Sequence, residues 1–565
     1  MEAPTALTFR NQTPECLQFG TSGLRGKVEA MTDLEVYINT CGFLDYLLQT
    51  HRIEPGQKVC LGGDLRPSSD GPERSIMRAV ARAIEDQGLV VSCLGRLPTP
   101  ALMHEALKQQ VASIMVTGSH IPFDRNGIKF NKPDGEVLKS DESAILSCVQ
   151  SVRRLQYAMP TERSLFDDAG WFRSAKHDRW DDTAHQLAAQ SYLERYRKAF
   201  PPKCLLGMEL LVYQHSAVGR DLLVQLLEDL GAKVWAVGRS ETFVPIDTED
   251  ISIERLNALQ SMLDEVIEQG GKPSALVSTD GDSDRPLVCG VDGWNRLQFI
   301  PGDLLGCLVA EELGIQSVVV PISTNDGVDR HLAKHQIQPY KTRIGSPHVI
   351  ECMRALRSQG NGSVAGWEAN GGFLLSSRIQ GESGVLEPLE TRDAMLPILT
   401  LLRSCHRSSV SLVDRLGELP ARFGKAGLID QFPQAASRQI LKRWTPPIAQ
   451  LTDWEWQGAG GFFRLTDGSR READHEESMI MAHLCEEASR HFSPDLGYGT
   501  ITRINVIDGV RFYFDSGDIA HIRPSGNAPQ LRFYAVADSQ QRVNQMVEQA
   551  LSEPAGLLRS MELEV

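Results

Sequence analysis

The chain has 565 residues, 41% hydrophobic and 23% charged, a balance ordinary for globular protein and a length too great for one core, so about three to five domains are expected. A formal net charge of −15 excludes wholesale binding to nucleic acid or an anionic membrane. Any phosphate ligand must then be met by a local cluster of cations and backbone N–H groups.

Eleven cysteines with no C-x-x-C pair read as reduced residues rather than a disulfide frame or zinc site. Residues 1–20 lack the apolar core of a signal peptide, and no apolar run reaches the roughly 18 residues a membrane span needs. A cytoplasmic protein without nucleic-acid or membrane partners is expected; oligomeric state is not legible.

The first notable turn is Gly20-Thr21-Ser22-Gly23-Leu24-Arg25-Gly26, where three glycines let the backbone approach an anion and Arg25 adds charge. A hairpin-like turn with a surface arginine is the plainer alternative. A helix over Leu34 to Thr50, a strand Lys58 to Gly62, the loop Gly63 to Ser69, an amphipathic run Pro72 to Gln87 and a strand Leu89 to Leu94 follow in α/β rhythm. The apolar run Val111 to Val116 has buried-strand length and stops at Thr117-Gly118-Ser119-His120, with Asn126-Gly127-Ile128-Lys129 beyond. A hydroxyl, an imidazole and an amine at a strand's end are candidate chemistry, although Ser beside a turn is often a cap and a lone His a satisfied polar group.

From Arg153 to about Gln186 the periodicity lapses among tryptophans and charges (Trp171, Lys176 to Trp180), which reads as an insertion pinned to a neighbouring domain. A second α/β unit is expected from the helix Ser191 to Phe200, through strands Leu206 to Tyr213 and Lys233 to Val237 and the helix Ile253 to Glu268. Its strand Ala275 to Ser278 leads to Asp280-Gly281-Asp282-Ser283-Asp284-Arg285. Three carboxylates at alternate positions suit Mg²⁺ or Ca²⁺, and without a cation they would repel one another. An EF-hand is excluded by Arg285 at the sixth position, Val291 at the twelfth and the preceding strand. A solvated acidic turn is the other reading, and a metal is preferred to it.

A third unit runs from Pro301 through the strand Ser317 to Pro321, the loop Lys341 to Gly345 and the strand Ser363 to Gly366 to the loop Trp367 to Phe373. There Glu368 and Asn370 could bond vicinal hydroxyls. Thr391-Arg392-Asp393-Ala394 is read as the start of a helix closing this unit. The last region carries a hairpin across Asp508-Gly509, a strand Ile519 to Ile522, and the donor-rich loop Arg523-Pro524-Ser525-Gly526-Asn527-Ala528-Pro529, a phosphate cradle or a decorated turn.

In this order, the loops resemble those of the α-D-phosphohexomutase superfamily, over nearly the whole chain. The resemblance implies three similar mixed-sheet α/β domains plus a smaller C-terminal α+β domain around a central cleft, here 1–187, 188–297, 298–410 and 411–565. It implies that Ser119 carries a phosphoryl group, that Asp280, Asp282 and Asp284 with Ser119 hold Mg²⁺, and that a hexose 1,6-bisphosphate is intermediate and activator. His120 and Lys129 are then the candidate general base and acid, in either order, and Arg25 and Arg285 neutralise the transferring group. Thr342, Gly345, Glu368, Asn370, Arg523, Ser525, Gly526 and Asn527 would bind the hexose phosphate.

Several residues depart from the common family loops: Gly118 and Ile121 around the serine, Asn370 and Gly372 in the sugar loop, Asn527 and Ala528 in the phosphate loop. Gly118 stands where the family commonly has Ala. The sequences E-A-N-G-G-F and R-P-S-G-N-A-P look more like phosphomannomutase-type members than phosphoglucosamine mutases, with phosphoglucomutase or dual specificity as the alternative. A non-catalytic sugar-phosphate sensor would need none of Ser119, the aspartates, His120 and Lys129, and a metal-dependent phosphatase would not need a cradle that retains an intermediate.

Overall fold

The computed structural model describes residues 9–564 except 11–12, 14, 21–22, 73–74, 175–181, 250, 458–459, 467 and 526–528. Two compact units emerge, one of Met1–Val320, His335–Tyr340 and Gly345–Glu418, the other of Pro321–Lys334, Lys341–Ile344 and Leu419–Val565.

The first unit holds three sheets built on one plan. In the first, Lys58–Gly63 lies parallel to both Val90–Arg96 and Ala112–Val116, and Arg125–Lys132 returns antiparallel beside Ala112–Val116. The second sets Glu209–His215 parallel to Lys233–Arg239 and Ala275–Thr279, then Pro286–Val291 antiparallel to the last. In the third, Ser317–Pro321 and Val364–Trp367 are parallel and Phe373–Leu375 returns antiparallel. Strands Ala112–Val116, Ala275–Thr279 and Val364–Trp367 are buried at every residue, which is why they are mostly apolar without the alternation of a half-exposed strand, Ser113, Ser278 and Thr279 being buried polar residues among them. Each runs straight into one of the polar loops singled out from sequence, at the carboxyl end of a parallel strand.

Helices close the faces. Asp33–Gln49, capped by the Thr32 hydroxyl, and Lys139–Tyr157 cover the first sheet around a core that includes Val36, Phe43, Ile114, Phe130 and Val149. The irregular stretch begins later than expected, because Arg153 is still helical and its buried guanidinium pairs with Glu35. Phe166 and Phe172 stack at 5.0 Å, the Phe172 N–H donates to Asp33, and the segment is thereby pinned to the first core. Of the residues read there, 176–180 lie outside the described residues.

Two further expectations are corrected. The next helix spans Asp182–Ala199, nine residues longer at its start than expected, so that position 187 lies inside it. Its early turns are mostly polar, and only Ala188 and Ala189 are buried there, too weak an apolar stripe to be seen in sequence. Thr391, Arg392 and Asp393 end a strand, Leu389–Asp393, and the helix starts at Met395. Burial of three successive polar residues, each with partners, hides the strand from any reading of hydrophobic period.

The second unit is an eight-stranded antiparallel sheet, in the order Phe423–Ile429, Leu531–Ala537, Ile519–Pro524, Val510–Phe514, Ile501–Asn505, Leu451–Gln457, Gly460–Leu465, Arg470–Glu472. The helices Gln434–Trp444, His475–His491 and Gln540–Leu551 contribute to one core with Trp444, Trp454, Phe463, Phe512 and Met546. The stretch 440–475 thus extends this sheet by three strands. The expected hairpin forms across Asp508-Gly509, with Gly509 at φ +82, where a Cβ would meet the Ile522 carbonyl at 2.3 Å.

Candidate active site

Ser119 stands three residues past the end of the buried strand Ala112–Val116 and is itself 1% exposed. Its φ is +55°, a conformation non-glycine residues adopt only where the surroundings impose it. The Ser119 Oγ donates to Asp280 Oδ2 at 2.5 Å and lies 3.3 Å from His120 Nδ1. Burial, then the cations Arg285 and Arg25, hold the His120 imidazole well below its ordinary pKa, so the ring is neutral.

Asp280, Asp282 and Asp284 alternate along a turn that folds inward because Asp280 Oδ1 accepts the backbone N–H groups of Asp284 and Arg285, at 3.1 and 3.2 Å. All three are at most 1% exposed, and one carboxylate oxygen of each lies within 4.8 Å of the others. Burial, with Asp282 and Asp284 as like charges, raises the Asp280 pKa well above the carboxylate range. Lys129 Nζ reaches Asp282 Oδ2 and Asp284 Oδ2 at 2.6 Å each. Burial alone would depress the Lys129 pKa; the two carboxylates more than offset this and raise it. Asp282 Oδ1 and Asp284 Oδ1 are buried without a hydrogen-bond partner among the described residues. Clustered hard oxygens with unused lone pairs fit a small divalent cation.

Around this acidic turn stand the cations. Arg285 Nε is 3.7 Å from Asp284 and 3.9 Å from Asp280. Arg25 pairs across strands with Gly127, two residues from Lys129, and desolvation, followed by repulsion from Arg285 and Arg392, lowers its pKa to about 10. Arg392, read from sequence only as the start of a helix, donates to Asp284 at 3.0 Å and to Glu368 at 2.8 Å, and so joins the acidic turn to the loop 368–371. Asn370 is 2% exposed; its Oδ1 accepts the Gly372 N–H at 3.0 Å and its amide donates to Glu249 at 3.4 Å. Gly345, at φ +124°, caps the helix Ser346–Ser358.

In the second unit, Arg523 Nε pairs with Asp508 at 3.0 Å, and the same carboxylate oxygen accepts the Ile344 N–H. Thr342 is buried, its hydroxyl donating to the Arg343 carbonyl at 2.9 Å, and the Ser525 N–H donates to the Gln530 carbonyl at 2.9 Å. Gly526 and Asn527 lie outside the described residues.

Comparison with known proteins matches this architecture. Family models described as phosphoglucomutase/phosphomannomutase α/β/α domain I, α/β/α domain III and C-terminal domain match residues 17–155, 301–423 and 475–552. A phosphomannomutase of Salmonella muenchen is 35% identical over 542 residues, 95% of either chain. The chain belongs to the phosphoglucomutase/phosphomannomutase family. A second member, a phosphomannomutase of Sinorhizobium fredii, is 34% identical over 537 residues, 95% of this chain and 98% of its own. The fold is shared with a crystal structure of a Thermus thermophilus protein, which covers 95% of this chain and 98% of its own with a TM-score of 0.64 at 20% identity.

As a phosphoglucomutase/phosphomannomutase family enzyme, the chain concentrates a buried serine, a neutral imidazole, three carboxylates and four cations in its first unit. Sequence reasoning missed Arg392, which the alternation Thr391-Arg392-Asp393 within a short strand could have signalled. It also missed Thr99, whose hydroxyl donates to Asp282, because a threonine after Pro98 reads as an ordinary helix start.

Proposed function

We propose that the protein is a phosphomannomutase that interconverts mannose 1-phosphate and mannose 6-phosphate through phospho-Ser119 and a bisphosphorylated sugar. The observation that carries this reading is Ser119 Oγ, buried, 2.5 Å from Asp280 of the aspartate cluster and 3.3 Å from His120.

Phosphoryl transfer needs positioning and charge neutralisation above all. Asp280, Asp282 and Asp284, with an oxygen on phospho-Ser119, would hold Mg²⁺, which neutralises charge on the phosphoryl group. Arg25 and Arg285 add cationic charge around the same group. A sugar hydroxyl attacks phosphorus and gives its proton to a base as the P–O bond to Ser119 breaks, and the departing Ser119 oxygen takes up a proton to become a hydroxyl again. His120, neutral and within reach of the serine oxygen, serves that exchange, while Lys129 acts as a cation between two carboxylates. After the bisphosphate turns over, its other phosphoryl group returns to Ser119. Glu368 and Asn370 would read sugar hydroxyls, Arg523, Ser525, Gly526 and Asn527 would hold the non-reacting phosphate, and Thr342 and Gly345 would contribute to binding the hexose phosphate.

A coupled assay with mannose 1-phosphate and, separately, glucose 1-phosphate, Mg²⁺ and a trace of the matching 1,6-bisphosphate tests this. Formation of the 6-phosphate that disappears in Ser119→Ala supports a mutase, and a higher kcat/KM for mannose 1-phosphate supports the named substrate. A preference for glucose 1-phosphate replaces that name; phosphate release without isomerisation, or no turnover, rejects the mutase.

A further inference from the structure

The loop Gly63 to Ser69 holds two buried charges, Asp64 and Arg66, 0% and 1% exposed. Arg66 Nη1 donates to the carbonyls of Pro122 and Arg125 at 2.7 and 2.8 Å, and Nη2 to those of Ser119 and Ile121 at 3.0 and 2.5 Å. Asp64 Oδ2 accepts the Thr117 hydroxyl at 2.7 Å and the Gly118 N–H at 3.3 Å, and Thr117 Oγ1 in turn accepts the Ser119 N–H at 2.8 Å. Between them the two side chains tie down five of the six residues from 117 to 122. The pair is itself joined, Arg66 Nε to Asp64 at 3.3 Å.

On its other side the guanidinium lies 3.9 Å from the Phe243 ring centre. Phe243 also packs on Gly281 of the aspartate turn, where an added Cβ would meet the ring at 3.1 Å and the Ser119 carbonyl at 2.7 Å. Arg66 is therefore wedged between the serine loop and a ring that backs the aspartate turn. A Cβ at position 118 would lie 2.6 Å from Arg66 Cζ, so Gly118, one of the departures from the common family loop, is the residue that lets the guanidinium sit there.

We propose that Asp64 and Arg66 are positioning residues that hold Ser119 in its left-handed conformation with Oγ aimed at Asp280, and that Gly118 is required for that clamp. A left-handed non-glycine residue is strained by its own Cβ, and charge-assisted bonds from one buried guanidinium to four carbonyls offset that strain. Lysine cannot replace the fork, since one ammonium cannot span four separated acceptors.

The proposal rests on the mutase reading, and its test separates the two. In Arg66→Lys and in Gly118→Ala, kcat for mannose 1-phosphate falls about 10²-fold while KM stays within about threefold, as expected for a reacting group displaced by about 1 Å. Phosphorylation of Ser119 by the 1,6-bisphosphate, read by intact mass, slows in parallel. The double variant is no worse than the poorer single one, because both break the same clamp. Hydrogen exchange over residues 117–125 reads the clamp without turnover: protection falls at least about tenfold in either variant. Unchanged exchange there, unchanged kcat, or a rise in KM matching the fall in kcat overturns the proposal. Should Arg66→Lys fail to fold, Gly118→Ala decides by the same criteria. A wild-type chain that turns over neither sugar rejects the mutase reading, and the exchange measurement still decides the clamp.

Discussion

Three buried carboxylates within 4.8 Å form an arrangement that the apoprotein tolerates only because Lys129, Arg392 and Arg285 surround it. Removing one negative charge should therefore act in opposite directions with and without metal. Asp280→Asn is expected to raise the melting temperature of the metal-free protein, since it relieves the repulsion that raises the Asp280 pKa. The same variant should lose the gain from added Mg²⁺, which for wild type amounts to about 2.7 kcal/mol at 100 times Kd. Thermal shift in EDTA and in Mg²⁺ reads both, and an Mg²⁺ response equal to wild type would exclude Asp280 as a ligand. A second residue-scale effect concerns acid. Burial lowers the pKa values of His215 and His521 to about 4 and about 3, so the unfolded chain, near 6.5, binds protons that the native state refuses. Their stability contribution is full above about pH 6.5 and is lost as pH falls from there toward the folded values. At pH 5 each costs on the order of 2 kcal/mol. Melting curves between pH 7.5 and 5 should show a shallower decline for His521→Gln than for wild type; parallel declines would refute the assignment.

Among the elements, the helix Gly302–Glu312 shows how the loop 368–371 is held. Gly306 faces Trp367, where a Cβ would lie 2.4 Å from the indole, and Trp367 donates to the Asp303 carbonyl and stacks on Phe373. Gly302 abuts the loop itself, with a Cβ at 2.3 Å from the Gly371 nitrogen. Helix propensity favours alanine over glycine by about 1 kcal/mol, whereas overpacking costs about 1–3 kcal/mol. Gly306→Ala is therefore expected to be destabilising, by about 1 kcal/mol and by no more than about 2 in denaturant melts, with Glu368 displaced alongside. A variant as stable as wild type would mean that the sheet moves to accept the methyl group.

The whole chain divides its apolar residues among several clusters: one in the first sheet's layer, one in the second, one in the third and one in the C-terminal unit. Separate cores over 565 residues predict unfolding in more than one transition, with a van't Hoff enthalpy below the calorimetric one. The C-terminal unit is also discontinuous in sequence. Arg422, its side chain fully buried, donates to Asp326 at 2.8 Å, Asp538 at 2.7 Å and the Gly517 carbonyl at 2.8 Å, so residues 321–334 belong to it as much as residues 419–565 do. Arg422→Ala leaves the Gly517 carbonyl without its guanidinium donor and Asp326 with Arg330 alone, at 3.2 Å, and is expected to cost about 1.5–3 kcal/mol in one calorimetric transition only. Equal shifts in every transition would show that the molecule melts as one body.

Local pattern alone determined the α/β class, the apolar strands before Ser119 and Asp280, the aspartate turn and the C-terminal hairpin. An unbroken apolar run, alternating carboxylates and an Asp-Gly turn each carry their physical meaning within ten residues. Tertiary structure decided what depends on partners far away in the chain. Arg392 became a bridge between Asp284 and Glu368, and Asp64 and Arg66 reached loops more than fifty residues distant. A buried polar residue leaves no mark in hydrophobic period, because its place is set by the groups that satisfy it, and those are chosen only when the sheets assemble.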